Sequence, residues 1–335
     1  MPDVIKTTLS ITFEGKEIYA DMAPDLLSFV YEDKEKDEAD TLSLTLMDRD
    51  GKWSGAWCPE GGEKMEATIF CNGTSLPCGT FFLDSLRCSG APRTVELSGV
   101  SVPLSMPCRR RKKTRAWEKT GLKTIAQQIA GEAGLALLWD TEEEPAAYDR
   151  IEQRGESDLE FLSRLCGEQG FSLKASAEKM VVFDEHYYEK KDPAGAIVLG
   201  VSPVLSWEFS TQKGQEYKSV RVAYYDERGK GDAKEVTVRD EDAGDTGQEY
   251  ELRRKCATHA EAERLARAKL RELNSRAVTG SISVAAGIGW AAGEVLELAG
   301  FGAWDGRYIV EGARHSVSGS GYVTSLSLRL AREKY

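Results

Sequence analysis

Residues 287–292 form a glycine-rich segment with the spacing G-x-G-x-x-A, which dinucleotide-binding proteins use to bind a pyrophosphate. Such a site needs the glycine turn to open a helix, because the N–H groups of the helix N-terminus bind the phosphates. Residues 295–298 are instead typical of a strand, and too little chain remains for a doubly wound sheet. We therefore interpret the segment as a glycine-rich turn and predict no cofactor.

Metal-binding patterns fail in a similar way. Three carboxylates lie close together in one acidic stretch: Asp240, Asp242 and Asp245. An EF-hand calcium loop needs glycine at its sixth position, where the chain turns sharply, but here Gly244 is fifth and Asp245 is sixth. Asp48 and Asp50 fail the pattern too, with Lys52 at the fifth position. We predict a solvated loop and no metal site.

Catalytic signatures are also missing from the sequence. It contains neither the G-x-S-x-G motif of serine hydrolases nor the H-E-x-x-H motif of zinc proteases. The three histidines lie in unrelated contexts: His186, His259 and His315. We expect His259 to be an exposed residue in the first turn of a helix. Carboxylates are abundant, but no spacing selects an acid–base pair, so we predict no catalytic residues and no enzymatic activity.

The charge balance argues against a nucleic-acid partner. The 335 residues include 44 Lys and Arg against 55 Asp and Glu, a formal charge of −11, and the pI is about 5.1. Nucleic-acid-binding proteins normally carry a basic field. One basic cluster occupies positions 109–113 and 115, but in so acidic a chain it would bind weakly and lose affinity with salt. We expect it to be a solvated segment that leads into a helix.

Cysteine spacing and hydropathy indicate a soluble protein with reduced thiols. The seven cysteines include no C-x-x-C pair. The N-terminus lacks the basic and apolar regions of a signal peptide. The longest charge-free stretch, residues 277–293, has 17 residues rich in glycine and serine, whereas a spanning helix needs about 20 apolar residues. We expect no membrane span.

The hydrophobic pattern divides the elements that position these residues into three parts. Residues 1–104 are predicted to form an antiparallel β domain without a helix. Apolar and polar residues alternate over 5–13 and again over 42–46, which is typical of half-buried strands. The short, turn-separated strands that follow are typical of a sandwich or a barrel.

Residues 105–200 are predicted to form a small α+β domain. The first of its two helices is predicted from apolar residues at helical spacing: Leu122, Ile125, Ala126 and Ile129. The second begins after Ser157, which forms a capping box with Glu160. Two strands are expected within 171–184.

Residues 201–335 are predicted to return to β structure, interrupted by one long helix at about 258–274. Thr258 and Glu261 form the capping box of this helix. The chain should close with a hairpin around 318–321. The predicted fold class is therefore a β-rich α+β protein in the order β, α+β, β.

Three groups of segments stand out together. They are residues 113–118 leading into 122–126, residues 157–162 continuing to 170–171, and residues 293–296 continuing through 300–302 to 305–310. Together they resemble the late control protein D family, the baseplate hub of contractile phage tails and related injection particles. The first 100 residues agree with the family only in their predicted β-strand content. These motifs mark folding units and are not catalytic signatures.

The resemblance implies a homotrimeric hub. Two β-barrel tube-like domains, 1–104 and 201–335, flank the inserted α+β domain, 105–200, so that three chains form a pseudo-sixfold ring. Such a ring joins a sixfold tail tube or tube-initiator protein to a threefold spike, among other baseplate proteins. It assembles in the bacterial cytoplasm and ends in the baseplate of a virion or tail-like particle. Because the chain stops at Tyr335, after the last predicted strand, we expect a separate spike protein.

Two alternatives stay open. One is a cell-wall-active tail enzyme or carbohydrate-binding module that uses acidic residues, and the other is a general β-rich secreted binding module. The enzyme hypothesis predicts a cleft with paired carboxylates, and replacing these carboxylates should abolish turnover. The hub hypothesis predicts that the loss of oligomerisation impairs function more than any single polar substitution does.

Overall fold

The computed structural model describes residues 5–103, 106–141, 145, 147–212, 214, 216–224, 234–241, 243, 248–253, 256 and 258–332. The first part of the chain forms antiparallel strands and a short helix: β1 (Thr7–Phe13), β2 (Lys16–Glu17), α1 (Tyr19–Met22), β3 (Leu26–Lys34), β4 (Thr41–Met47), β5 (Lys64–Cys71), β6 (Thr74–Ser89) and β7 (Thr94–Val100). Leu42, Leu44 and Leu46 are fully buried while the residues between them are not, so the predicted alternation is confirmed. The expectation of no helix is wrong at α1, whose four residues are too few to leave a helical period.

The middle part carries both predicted helices: α2 (Pro107–Arg110), β8 (Lys113–Thr120), α3 (Leu122–Ala133), β9 (Ala136–Asp140), β10 (Tyr148–Glu156), α4 (Asp158–Gln169), β11 (Ser172–Ala175), β12 (Lys179–Phe183) and α5 (Glu185–Glu189). The predicted helices are α3 and α4. The capping box of α4 is confirmed, because Ser157 Oγ accepts from Glu160 N at 3.2 Å and the Glu160 carboxylate accepts from Ser157 N at 2.7 Å. Gly170 ends α4 in the left-handed conformation.

The last part contains the long helix: β13 (Gly195–Val198), β14 (Val204–Thr211), β15 (Tyr217–Tyr224), β16 (Lys234–Arg239), β17 (Gln248–Arg253), α6 (His259–Asn274), β18 (Val278–Ala285), β19 (Val295–Ala299), β20 (Gly306–Ser318) and β21 (Gly321–Leu330). Helix α6 is confirmed, and Thr258 Oγ1 accepts from Glu261 N at 3.1 Å. Residues 287–292 lie in the connection between β18 and β19, as predicted, and no helix follows them there.

Strands from the first and last parts form one continuous sheet. Its order is β14-β18-β21-β20-β3-β4-β7-β6-β5-β1-β2, with β19 and then β13 branching from β20. The two parts meet at the antiparallel pair β20–β3, where Gly312 faces Lys34 and Ser318 faces Ser28. In the part of the chain that the structure describes, no pairing joins β14 to β2, so the sheet is open and no barrel closes.

Separate hydrophobic clusters lie beneath this sheet and beside it. The first β part packs around Leu44, and the middle part packs around Phe161. Strands β18 to β21 pack around Leu326, and a small sheet of β16, β15 and β17 packs with α6 around Val222. Each part therefore has a core, but Tyr322 of β21 packs into the core of the first part, and the parts are also joined by strand pairing and by ion pairs.

Candidate subunit interface at the sheet edges

Eight strands of the sheet alternate in direction from one end to the other. In the run β14-β18-β21-β20-β3-β4-β7-β6, each neighbouring pair is antiparallel. The end strands β14 and β6 therefore run in opposite directions. The β20–β3 joint lies at the centre, and an ion pair between Arg314 and Glu32 crosses it. The run thus consists of two four-stranded halves from distant parts of the chain.

The two faces of this eight-stranded run differ in chemistry. One face packs on the cores, and successive side chains alternate between the faces. The other face is rich in small hydroxylated residues: Ser28, Ser43, Thr45, Ser98, Ser206, Ser281, Ser283, Ser316, Ser325 and Ser327. Their hydroxyls bond across strands, with Ser43 Oγ 3.0 Å from Ser98 Oγ and Ser283 Oγ 2.9 Å from Ser325 Oγ. A polar face of this kind suits contact with water.

Strand β14 is one end of the run and exposes apolar side chains. It pairs with β18, and no strand of the described residues pairs with its other side. Trp207 lies opposite the buried Ile282 and so belongs to the core face, yet it is 46% exposed. Leu205, two residues away, is 58% exposed. A free strand edge with apolar side chains is a ready site for pairing with another chain.

The second half of β6 is the opposite end of the run. Its first half pairs with β5 as far as Phe82, whereas residues 85–89, after a bulge at residue 84, pair with β7 on one side. Among the described residues, no strand pairs with the other side of 84–89. Leu86 and Cys88 lie opposite Leu97 and Val95, on the core face. The apolar face therefore continues to both ends of the run, where it is partly uncovered.

A buried ionic cluster ties the last strand to both other parts. Arg329 on β21 is 2% exposed, and its Nη2 lies 3.1 Å from Glu35 and 3.2 Å from Glu185. Its Nη1 also pairs with Glu189. Burial raises the pKa of Glu35 above its ordinary value, although Arg329 acts in the opposite direction. Burial would lower the pKa of Arg329, but the three carboxylates raise it, so the guanidinium stays charged.

The basic cluster has a different role from the one predicted. The expectation of a solvated segment is wrong for Lys113 and Arg115, whose side chains pair with the buried Asp158 at 2.6 Å and 2.8 Å. Strand β8 places these alternate residues beside the first turn of α4, where Asp158 requires compensating charge. Strand β8 was not predicted, because its first residues belong to a run of basic side chains without apolar alternation. Residues 110–112 are exposed, as expected.

The structure also places the other candidate residues. The expectation of a solvated acidic loop is wrong for Asp240, which is buried and accepts from Arg332 at 2.5 Å and from Asn274 at 2.8 Å. The rest of that pattern lies outside the described residues: Asp242, Gly244 and Asp245. His259 is exposed at the start of α6, as predicted. Within the described ranges, no group of His, Cys, Asp or Glu is arranged to hold a metal ion. No described helix is long and apolar enough to cross a membrane.

Comparisons with solved structures define a class of tail proteins with this fold. The prophage MuSo2 tail protein from Shewanella oneidensis has a TM-score of 0.75 at 13% identity, covering 98% of this chain and 100% of that one. An E. coli component of the type VI secretion system has a TM-score of 0.60 at 13% identity, covering 98% of this chain and 78% of that one. At these identities the likeness shows the fold alone.

The family model for the phage tail baseplate hub (GPD) matches residues 102–321. This chain therefore belongs to the phage tail baseplate hub family, and the family predicted from its segments is confirmed. A probable baseplate hub protein of Escherichia phage P2 is 26% identical over 172 residues, which cover 51% of this chain and 43% of that protein. The aligned stretch thus spans less than half of that relative's length.

Proposed function

We propose that the chain is a structural baseplate hub that forms a homotrimeric ring between a sixfold tail tube, or its initiator, and a threefold spike. Each chain supplies two four-stranded halves, so three chains supply six halves around one axis. The halves belong to tube-like domains, 1–104 and 201–335, each with its own core. The domain 105–200 and the ionic cluster at Arg329 attach beside them. The ring would assemble in the bacterial cytoplasm and then occupy the baseplate of the particle.

The observation that carries this proposal is the pair of free edges. When β6 of one copy lies beside β14 of the next, the new pairing is antiparallel, like every other pairing in the run. The contact between copies would resemble the β20–β3 joint within one chain, where the edge strands of the two halves pair antiparallel. Leu205 and Trp207 of one copy would then extend the apolar face that Leu86 and Cys88 begin in the other. A head-to-tail contact that uses two different edges forms a ring when its rotation closes.

The enzyme alternative lacks a comparable observation. Each buried carboxylate among the described residues is held by an ion pair or by hydrogen bonds: Asp33, Glu35, Asp48, Asp158, Glu189 and Asp240. Their partners are side chains or backbone groups that fix the fold. We therefore assign the chain an assembly role without a catalytic residue.

Disulfide trapping tests the joint directly. Cys88 is exposed, is a free thiol and lies on the edge of β6. Leu205→Cys or Trp207→Cys places a second thiol on β14, and mild oxidation should give covalent trimers when the two edges meet. Adding Cys88→Ala to either variant should abolish the cross-link. Light scattering of the unmodified chain with spike and tube proteins measures ring formation separately, and a strict monomer there would contradict the hub.

A further inference from the structure

A cleft of 380 Å³ opens in the middle part of the chain, away from the edges of the large sheet. It lies where β9 and β12 end side by side, since these strands are parallel neighbours and Phe183 faces Asp140 at their carboxyl ends. The carboxyl ends of parallel strands are a frequent place for ligand sites, because the chain leaves the sheet there and opens a crevice. The groups used below are Trp139, Asp140, Asp184, Tyr187 and Lys190.

Two aromatic rings line this cleft. Tyr187 on α5 is 53% exposed, so much of its ring is accessible to a ligand, and the Lys191 ammonium lies 5.1 Å from the ring centroid. Trp139 on β9 is partly buried against the core of the middle part and contacts Phe171, with ring centroids 5.8 Å apart and ring planes tilted by 59°. A fixed indole and an exposed phenol ring thus share one opening. Flat apolar surfaces of this kind pack against the C–H face of a sugar ring.

Two carboxylates and one ammonium line the cleft, and Arg271, outside the lining, pairs with one of the carboxylates. Asp140 accepts from the hydroxyl of Tyr188. Asp184 Oδ1 accepts from His186 N at 2.9 Å and from Arg271 Nη1 at 3.0 Å. A carboxylate can accept about four hydrogen bonds, so both retain acceptor sites for ligand hydroxyls. The Lys190 ammonium lies in the same cleft, and neither an anion nor a cation is selected by net charge.

We propose that this cleft binds one ring of a neutral carbohydrate. The C–H face of the sugar would pack on Tyr187 and Trp139, and its hydroxyls would donate to Asp140 and Asp184 and accept from Lys190. The proposal does not depend on ring formation, because the cleft lies within one chain.

Saturation-transfer NMR and calorimetry on the full chain test the site. The probes are glucose, galactose, rhamnose, N-acetylglucosamine and chitotriose, with AMP and a heparin oligosaccharide as charged comparisons. We expect saturable binding of at least one neutral sugar. Tyr187→Ala should weaken it roughly two- to tenfold through the loss of ring contact. Tyr187→Phe should bind as the unmodified chain does. Phe70→Ala, at another exposed ring, should also leave binding unchanged.

Three results would overturn the proposal. The first is no saturable binding of any neutral sugar up to tens of millimolar. The second is binding that Tyr187→Ala leaves unchanged. The third is binding of the charged probes alone. Circular dichroism of Tyr187→Ala shows whether a loss of binding comes from unfolding, and if it does, Lys190→Gln replaces it as the test variant.

Discussion

Glu35 Oε1 lies 3.1 Å from Arg329 Nη2, although 294 residues separate them in the chain. The contact joins the end of β3 to the last strand, and Glu185 and Glu189 bring the middle part to the same guanidinium. One cation on the last part therefore compensates carboxylates from both other parts of the molecule. The parts depend on one another at this point more than their separate cores suggest.

Arg329→Met should cost about 3–5 kcal/mol in the free energy of unfolding, because it leaves buried carboxylates without a partner. Urea unfolding followed by circular dichroism measures the change. The matched control is Arg314→Met, whose ion pair with Glu32 is on the surface. That change should cost less than about 1 kcal/mol. Equal costs for the two variants would show that the cluster at Arg329 contributes no more than a surface pair.

Glu132 should stabilise the fold at neutral pH and lose this effect in acid. Partial burial would raise its pKa, but hydrogen bonds from Gln128, Lys113 and Arg115 outweigh burial and lower the pKa to about 2. The ordinary pKa is 4.5, so the stabilisation is complete above that pH and declines as pH falls from 4.5 to 2. Glu132→Gln should remove about 1 kcal/mol at neutral pH, a value reduced by solvent screening at this partly exposed site.

The pH dependence of that difference is the measurement. The gap in unfolding free energy between Glu132→Gln and the unmodified chain should close as pH approaches 2. Glu118→Gln removes a more exposed ion pair with Arg150 and should show little difference at any pH. A gap for Glu132→Gln that widens in acid would contradict the assignment.

His315 should also make the fold less stable in acid, but over a higher pH range than Glu132. It is buried against Tyr31 and Tyr322, and burial lowers its pKa to about 4 from an ordinary 6.5. The unfolded chain therefore takes up a proton at higher pH than the folded chain, and stability falls as pH drops from 6.5 to 4, by up to about 3 kcal/mol. His315→Gln should make the free energy of unfolding nearly independent of pH between 4 and 6.5. His259→Gln, at an exposed site, should leave it unchanged.

Leu205→Lys should prevent assembly without unfolding the monomer. Leu205 is exposed on the edge strand β14, so a charge there costs the monomer less than about 0.5 kcal/mol but opposes pairing with a second copy. Light scattering at tens of micromolar should report a monomer for this variant, whereas we expect the proposed trimer from the unmodified chain. Leu138→Lys, at a site on β9 that is 47% exposed, should still assemble. Trimers of Leu205→Lys would place the subunit contact elsewhere.

The sequence predicted elements whose signals are local. Helix α4 follows a capping box at Ser157, helix α6 follows the Thr258 cap, and strand β4 shows clean alternation. Elements that are short or highly charged were missed, including α1, α5, β8 and β17, because few residues set their period or because ion pairs replace apolar contacts. The β20–β3 joint was also missed, since strand pairing across most of the chain leaves no local pattern.

The cleft on the middle part was not predicted for a related reason. Trp139 and Tyr187 lie on separate elements that come together only through the parallel pairing of β9 and β12. Neither residue belongs to a motif, and no spacing connects them. Lys113 and Arg115 are the reverse case. Their basic run is obvious in the sequence, but in the structure both side chains form ion pairs with the buried Asp158 and stabilise the fold.

The even number of strands between β14 and β6 has a consequence for variation in this protein. Adding or deleting one strand of the run would change its parity, and in the proposed ring the outer edges would then meet as parallel strands, which breaks the antiparallel alternation at each contact between copies. Adding or deleting a hairpin preserves the parity. Loops and whole hairpins are therefore the units that can be added or removed while the proposed ring still closes.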